Sequence, residues 1–516
     1  MRTHRSIWFA LALVCAAAML NAPATHAQDA LDAEPDTSFM AGEPSAATIG
    51  FTLDQAQSLA AENNPAARAV LASLRSARGA RMREVGNFDP ALFGEGSRTS
   101  ANSPVSSPFA PSELRQEVLL GGATWRSPIG TSLLVSLSQT QTETNAPFST
   151  LSTERRTHAR FDFVQPLTRG FGMASARGEL RALDREVEAA TRRLEAATLD
   201  LQAAVETAYW QLYASERDLQ VQRLQRQRSA VFLRDQMIRS RAGATGPGAV
   251  AAARRFLAEQ EVLLIDANLR YRAASDRLNE VLGIPAASQE RLHSLDEPPP
   301  PGEVMPLETA IDLAYRRNGA LRAFEADSAA ALARYRRAAR DAWPSIDAFG
   351  GYGGSGLAGV GRSDTLNVDP DFGDAWNQVW DDAYPDWSVG VRVQVPIGWR
   401  SERGERELQR GLYERASEAT RAQRLSIENQ VRIAHREAEQ SIQALRAMQA
   451  LAEAAREQAR IGRLEYQAGR TTPYDLVDIE TELVRAELQE TQVLVRVVRA
   501  ATEMRRLTNA PPEIAK

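Results

Sequence analysis

The chain of 516 residues holds one cysteine, Cys15, and one lysine, Lys516. A single thiol excludes an internal disulfide framework and a cysteine metal site. Aromatic residues make up only 6% and mean hydropathy is −0.36, which excludes a helical membrane protein. Beyond the first thirty residues no run reaches the roughly 18 apolar residues of a transmembrane helix, so any crossing must be made by strands. Five histidines are scattered along the chain, with no nucleophile elbow and no phosphate loop. No reaction class or cofactor can be assembled from them, so an enzyme is not expected. The net charge of −5 gives no footing for nucleic acid.

What is there begins with an address. Arg2 and Arg5, an apolar run from Ile7 to Leu20, and Thr25-His26-Ala27 predict a secretory signal over residues 1–27. The run is too short for a membrane anchor, and Leu13-Val14 before Cys15 lacks the small residue a lipoprotein site wants. Residues 28–50, rich in Ala, Asp, Glu and Pro, read as a flexible leader.

The rest is written twice. Leu53-Asp54-Gln55-Ala56 leads to Asn64 as Leu307-Glu308-Thr309-Ala310 leads to Asn318, 254 positions on. Asp89-Pro90-Ala91-Leu92 and Trp343-Pro344-Ser345-Ile346 keep that separation. Phe161 to Leu167 pairs with Val391 to Ile397 at 230, because the segment between the two prolines is longer in the first half. Gly243 and Gly469 then match as turns. The first repeat covers 51–284, with extended segments at about 90–167. A proline-rich linker, 285–306, leads to the second repeat over 307–508, with extended segments at about 344–397, and a tail over 509–516.

Each repeat predicts a helix (53–86 or 307–342), two strands, a helix of about 70 residues (172–241 or 400–467), a glycine turn and a last helix (248–283 or 474–508). Leu180, Leu183, Val187, Ala190, Leu194, Ala197, Leu201, Ala204 and Ala208 step by threes and fours, as do Ile427, Val431, Ala434, Ala438, Ser441, Leu445 and Met448. Both are seams for partner helices. Seventy helical residues span on the order of 100 Å, too long for a globular core. The two shorter helices of each half are expected to stack end to end beside the long one. From Val389 to Ile397 every odd residue is apolar against Gly390, Arg392 and Gln394, a strand period. Lipid-facing barrel strands and half-buried soluble strands share that pattern. Two hairpins give four strands, which close no barrel without other copies.

Four motifs, F-T-L-D-Q-A-Q-S-L-A-A-E-N-N-P (51–65), F-V-Q-P-L (163–167), L-N-E-V-L-G-I-P (278–285) and Y-Q-A-G-R-T-T-P-Y-D-L-V-D (466–478), together resemble the TolC-like outer-membrane efflux family. The resemblance covers residues 51 to 508. It implies a homotrimer whose 12-stranded β-barrel, four strands per protomer, continues into a long α-helical barrel in the periplasm. It also implies a passive duct in outer-membrane lipid that docks to an inner-membrane pump through a periplasmic adaptor. A periplasmic coiled-coil protein without a channel is the alternative class, and it has no use for the strands.

The family closes its periplasmic end with helix tips and aspartate rings, which the resemblance maps onto Asp475 and Asp478. Three carboxylates around a pore attract cations. The other reading of Asp475, two residues after Pro473, is a helix N-terminal cap, and both roles can coexist. Tyr466 matches the family's gate tyrosine. Arg470 stands one place before the gate arginine, whose aligned position holds Thr471. The first-half turn, Gly246-Pro247-Gly248-Ala249, offers no aspartate. Residues 355–387, rich in Asp and Trp, are expected as a solvated outer loop whose tryptophans sit at the membrane interface.

Overall fold

A computed structural model of the chain describes residues 48–107, 110–146, 148–285, 291–361 and 371–509. The expected signal, nearly all of the leader, and the tail from 510 lie outside them. The chain divides into two units, residues 1–49 with 289–291 and residues 50–288 with 292–516. Of the first only residues 48, 49 and 291 are described, as ends of the short strands β1 (Thr48–Phe51) and β6 (Arg291–Ser294). All that follows concerns the second unit.

Its helices are α1 (Leu53–Asn63), α2 (Pro65–Gly86), a single turn α3 (Gly172–Ala176), α4 (Gly178–Arg241), α5 (Pro247–Leu282), α6 (Leu307–Arg317), α7 (Gly319–Asp341), α8 (Phe372–Trp380), α9 (Arg400–Gln467) and α10 (Pro473–Thr508). The two long helices, 64 and 68 residues, stand where the seams predict them. The first helix of each repeat is broken, contrary to expectation. Pro65 pushes Asn64 out of helical geometry (ψ 120°), and the Asn64 side chain then caps α2 by accepting from the N–H groups of Ala66 and Ala67. Asn318 (ψ 116°) does the same at α7 without a proline, accepting from Leu321 N–H.

Neighbouring helices form four columns side by side. Toward the sheet they run α2, α4, α7, α9; toward the far end α5 and α10 replace α2 and α7, giving α5, α4, α10, α9. The predicted end-to-end stacking of short helices beside a long one is what this order describes. The second seam is buried from Ile427 to Leu445. The first drifts: Ala204 is exposed, while Ala203, Val205 and Ala208 are buried. A straight helix slips about 20° per heptad against a strict 3.5 repeat, and α4 serves neighbours on both sides. The largest core lies where α1, α4, α5 and α10 meet, around Tyr209, Leu212, Leu278 and Leu282.

The sheet corrects the strand count. It has six strands in the order β2 (Ala91–Asn102), β3 (Glu113–Arg126), β4 (Ser132–Thr144), β5 (Leu151–Pro166), β7 (Ser345–Gly361) and β8 (Pro385–Gln394), all antiparallel. The longer first-half segment holds an additional hairpin, β3 with β4. Register places Leu92, Ala123, Val135, Phe161 and Tyr352 in one row on one face, with Val389, Val391 and Val393 of β8 on that face too. The other face is polar around Arg160, which reaches Asp162 (2.8 Å), Asp386 (2.5 Å) and Ser388 (2.9 Å).

The expected solvated loop at 355–387 is also corrected. Residues 355–361 continue β7, and α8 lies on the sheet. The Thr157 hydroxyl donates to Ala375 O (3.0 Å), and Gln378 exchanges two bonds with the Leu357 backbone. A Cβ at Gly356 would stand 1.8 Å from Ala375 O, so only glycine permits this approach. Trp380 and Trp387 remain exposed.

Candidate functional site

The site candidates gather where α4 turns into α5 and α9 into α10. Both turns use one device. Gly243 (φ +71°) and Gly469 (φ +70°) adopt left-handed backbone that other residues take only at a cost. The following N–H bonds back to the carbonyl five residues earlier, Ala244 to Arg239 O (2.9 Å) and Arg470 to Glu465 O (2.9 Å). Each closes a Schellman motif. Arg470 therefore serves the turn through its backbone while its side chain is exposed. Thr471, at the aligned position, donates back to Glu465 of α9 (3.2 Å).

Thr472 caps α10. Its hydroxyl accepts from Asp475 N–H (3.2 Å), and the Asp475 carboxylate accepts from Thr472 N–H (3.2 Å) and from the Thr472 hydroxyl (2.5 Å). This reciprocal box gives Asp475 the capping role that its place after Pro473 suggests. Asp478, one turn on, lines a groove between α5 and α10 with Phe256, Leu263 and Tyr474.

Tyr466 joins α9 to α4. Its hydroxyl donates to Asp235 (3.0 Å) and accepts from the Gln236 amide (2.9 Å). The Arg239 guanidinium lies over its ring at 5.1 Å and pairs with Asp235 at 2.9 Å. Burial, reinforced by the Asp235 carboxylate, pushes the Tyr466 hydroxyl above the ordinary tyrosine range.

A second link was not legible in the sequence. Glu480 of α10, its side chain 13% exposed, accepts from Arg463 of α9 (2.5 Å) and from Arg228 of α4 (3.2 Å). One carboxylate thus ties three helices, and that hydrogen bond raises the Arg463 guanidinium further above its usual value. Further along, Arg456 of α9 pairs with Glu487 and Glu490 of α10. No motif marks Asp235 or Glu480. The only available signal is an acidic residue falling on the apolar stripe of a helix, where charge needs a partner.

Residues 310–510 match the outer membrane efflux protein family. Comparison with the curated proteins finds no match. Among solved structures, the chain is similar to the CmeC outer membrane channel of Campylobacter jejuni, at 13% identity and a TM-score of 0.64 over 88% of this chain and 85% of that one. VceC of Vibrio cholerae gives 14% and 0.63 over 89% and 97%. The open-state MtrE channel of Neisseria gonorrhoeae gives 16% and 0.61 over 89% of each. The match to the outer membrane efflux protein family thus lies in the second repeat, and nearly the whole described chain shares the fold of these outer membrane channels.

Proposed function

We propose that the chain is a passive export duct, three copies of which cross the outer membrane and extend into the periplasm as part of a tripartite efflux or type I secretion system. The observation that carries this is the sheet. Val389, Val391 and Val393 are 74, 62 and 59% exposed on the face that also carries Phe161, Phe163 and Leu92. Such a band suits hydrocarbon, while the Arg160 face suits an aqueous lumen. Its edges must be closed by other copies, since unpaired backbone groups in lipid cost several kcal/mol each. A periplasmic coiled-coil protein gains nothing from that face.

In this reading the helices line the periplasmic passage and the two glycine turns form its tip. Tyr466 and Glu480 hold α9 and α10 against α4 in the closed state, with the Arg470 turn beside them. Asp475 and Asp478, repeated by the threefold axis, ring the aperture and favour cations. An adaptor binds the helical outside and an inner-membrane pump supplies the energy. The test is the mass, corrected for detergent, of the particle extracted from outer membranes, followed by planar-bilayer recording. Three chains with cation preference, lost in the Asp475→Ala, Asp478→Ala double variant, support the duct and its ring. Unchanged ion preference rejects the ring alone, and a soluble monomer or dimer rejects the duct.

A further inference from the structure

The six-stranded sheet leads beyond that reading while resting on it. We infer that three copies close a barrel of 18 strands, in which the β8 edge of each copy pairs with the β2 edge of the next.

Three observations converge. First, β2 and β8 are the two ends of the sheet, and because all five pairings between them are antiparallel, these end strands run in opposite directions. Copies arranged head to tail around a threefold axis therefore continue the antiparallel order without a parallel seam, which an odd strand number per copy would force. Second, β2 is 12 residues long, exposed throughout, and lacks proline, one of the devices that blunt a free edge. Its partner edge, β8, carries its only proline at its first residue, Pro385, where a strand tolerates it. Both edges are left fit for pairing.

Third, the widths agree. Each copy presents four helical columns to the wall, and at about 9 to 10 Å between axes these need on the order of 40 Å of arc. Six strands about 4.8 Å apart and tilted by about 40° take about 38 Å. Four strands would take about 25 Å on the same geometry, so the wall would narrow by about a third at the junction. The β3–β4 hairpin keeps the sheet as wide as the helices below it. A barrel of 18 strands also leaves an open aqueous lumen.

The pairing is tested by cysteine crosslinking in native outer membranes of cells expressing the full chain with Cys15→Ser. Even residues of β2 share a face with odd residues of β8. Val391→Cys is therefore combined in turn with Leu92→Cys, Gly94→Cys, Gly96→Cys and Arg98→Cys to scan the register. At least one pair is expected to give, on oxidation, a covalent ladder that stops at three chains. A second set joins the same β2 positions to Ala159→Cys of β5, which adjoins β2 only if the hairpin is extruded from the wall. A β2–β5 link, or no β2–β8 link in any register from particles that still contain three chains, overturns the 18-strand barrel and leaves the duct standing. If no three-chain particle is extracted, the duct reading itself falls and takes this inference with it.

Discussion

Asn64 and Asn318 open the two repeats with the same residue for the same reason. Each caps one helix through Oδ1 and spends its amide on a carbonyl at the end of the other arm, Asn64 on Val281 O (2.8 Å) and Asn318 on Leu507 O (3.1 Å). Asn318→Ala removes a cap of about 1 kcal/mol and strands a buried carbonyl at about 1 to 3 kcal/mol. The expected loss is therefore about 2 to 4 kcal/mol in thermal unfolding of the extracted protein, with Asn318→Asp, which keeps the cap alone, in between. Tyr209 supports the larger core, the one that includes Val281. Its hydroxyl bonds to Phe51 O (2.9 Å) and Asp296 (3.1 Å) and accepts from the backbone N–H groups of Leu295 and Asp296. Burial pushes its pKa from 10.0 up to about 12. An acid whose folded pKa is raised contributes stability that is whole below the unfolded value and lost as pH rises through the folded one. Stability should thus fall between about pH 10 and 12, and Tyr209→Phe should flatten that fall, read as melting temperature against pH.

At the scale of elements, the tip is held by few bonds, so few changes should release it. Tyr466→Phe removes the bond to Asp235 and Glu480→Gln weakens both arginine links. Charge-assisted bonds of about 1.5 to 3 kcal/mol each correspond to roughly 10- to 100-fold in the open-to-closed ratio. Each variant should raise the fraction of time spent in the open conductance level, and the pair together more than either. No change in gating for either would show that these links are packing and nothing more. The long helices were legible in sequence to within a few residues because seven-residue apolar periods leave little choice over 64 to 68 positions. The β3 strand was not, because Val118-Leu119-Leu120-Gly121-Gly122-Ala123 breaks the period of two. The nine residues of α8 carry too few turns to stand out from an acidic stretch. Asp235 and Glu480 were invisible for a different reason. The partners that make them links, Tyr466 for Asp235 and Arg228 and Arg463 for Glu480, lie on other helices, and the turn motifs near them mark only where the chain reverses.

For the whole molecule, the question is which segment limits flow. Resistances in series add, so the narrowest stretch of a duct sets its conductance and wider stretches contribute little. A sheet as wide as the helical wall puts no constriction at the membrane, even though Arg160, Asp162 and Asp386 crowd its polar face. On the proposed reading, in which Tyr466 and Glu480 close the tip and carboxylates line it, the tip is then the limiting stretch. Replacing the charge inside the barrel by Arg160→Gln should leave single-channel conductance within about 10% of the native value, because charges act across only about 10 Å at 0.1 M salt and the wide lumen is screened. The same substitution placed on a Tyr466→Phe background should remain silent, since opening the tip still leaves it narrower than an 18-strand barrel. A large change from Arg160→Gln in either background would move the constriction to the sheet. That outcome would demand a narrower barrel than six strands per copy can make.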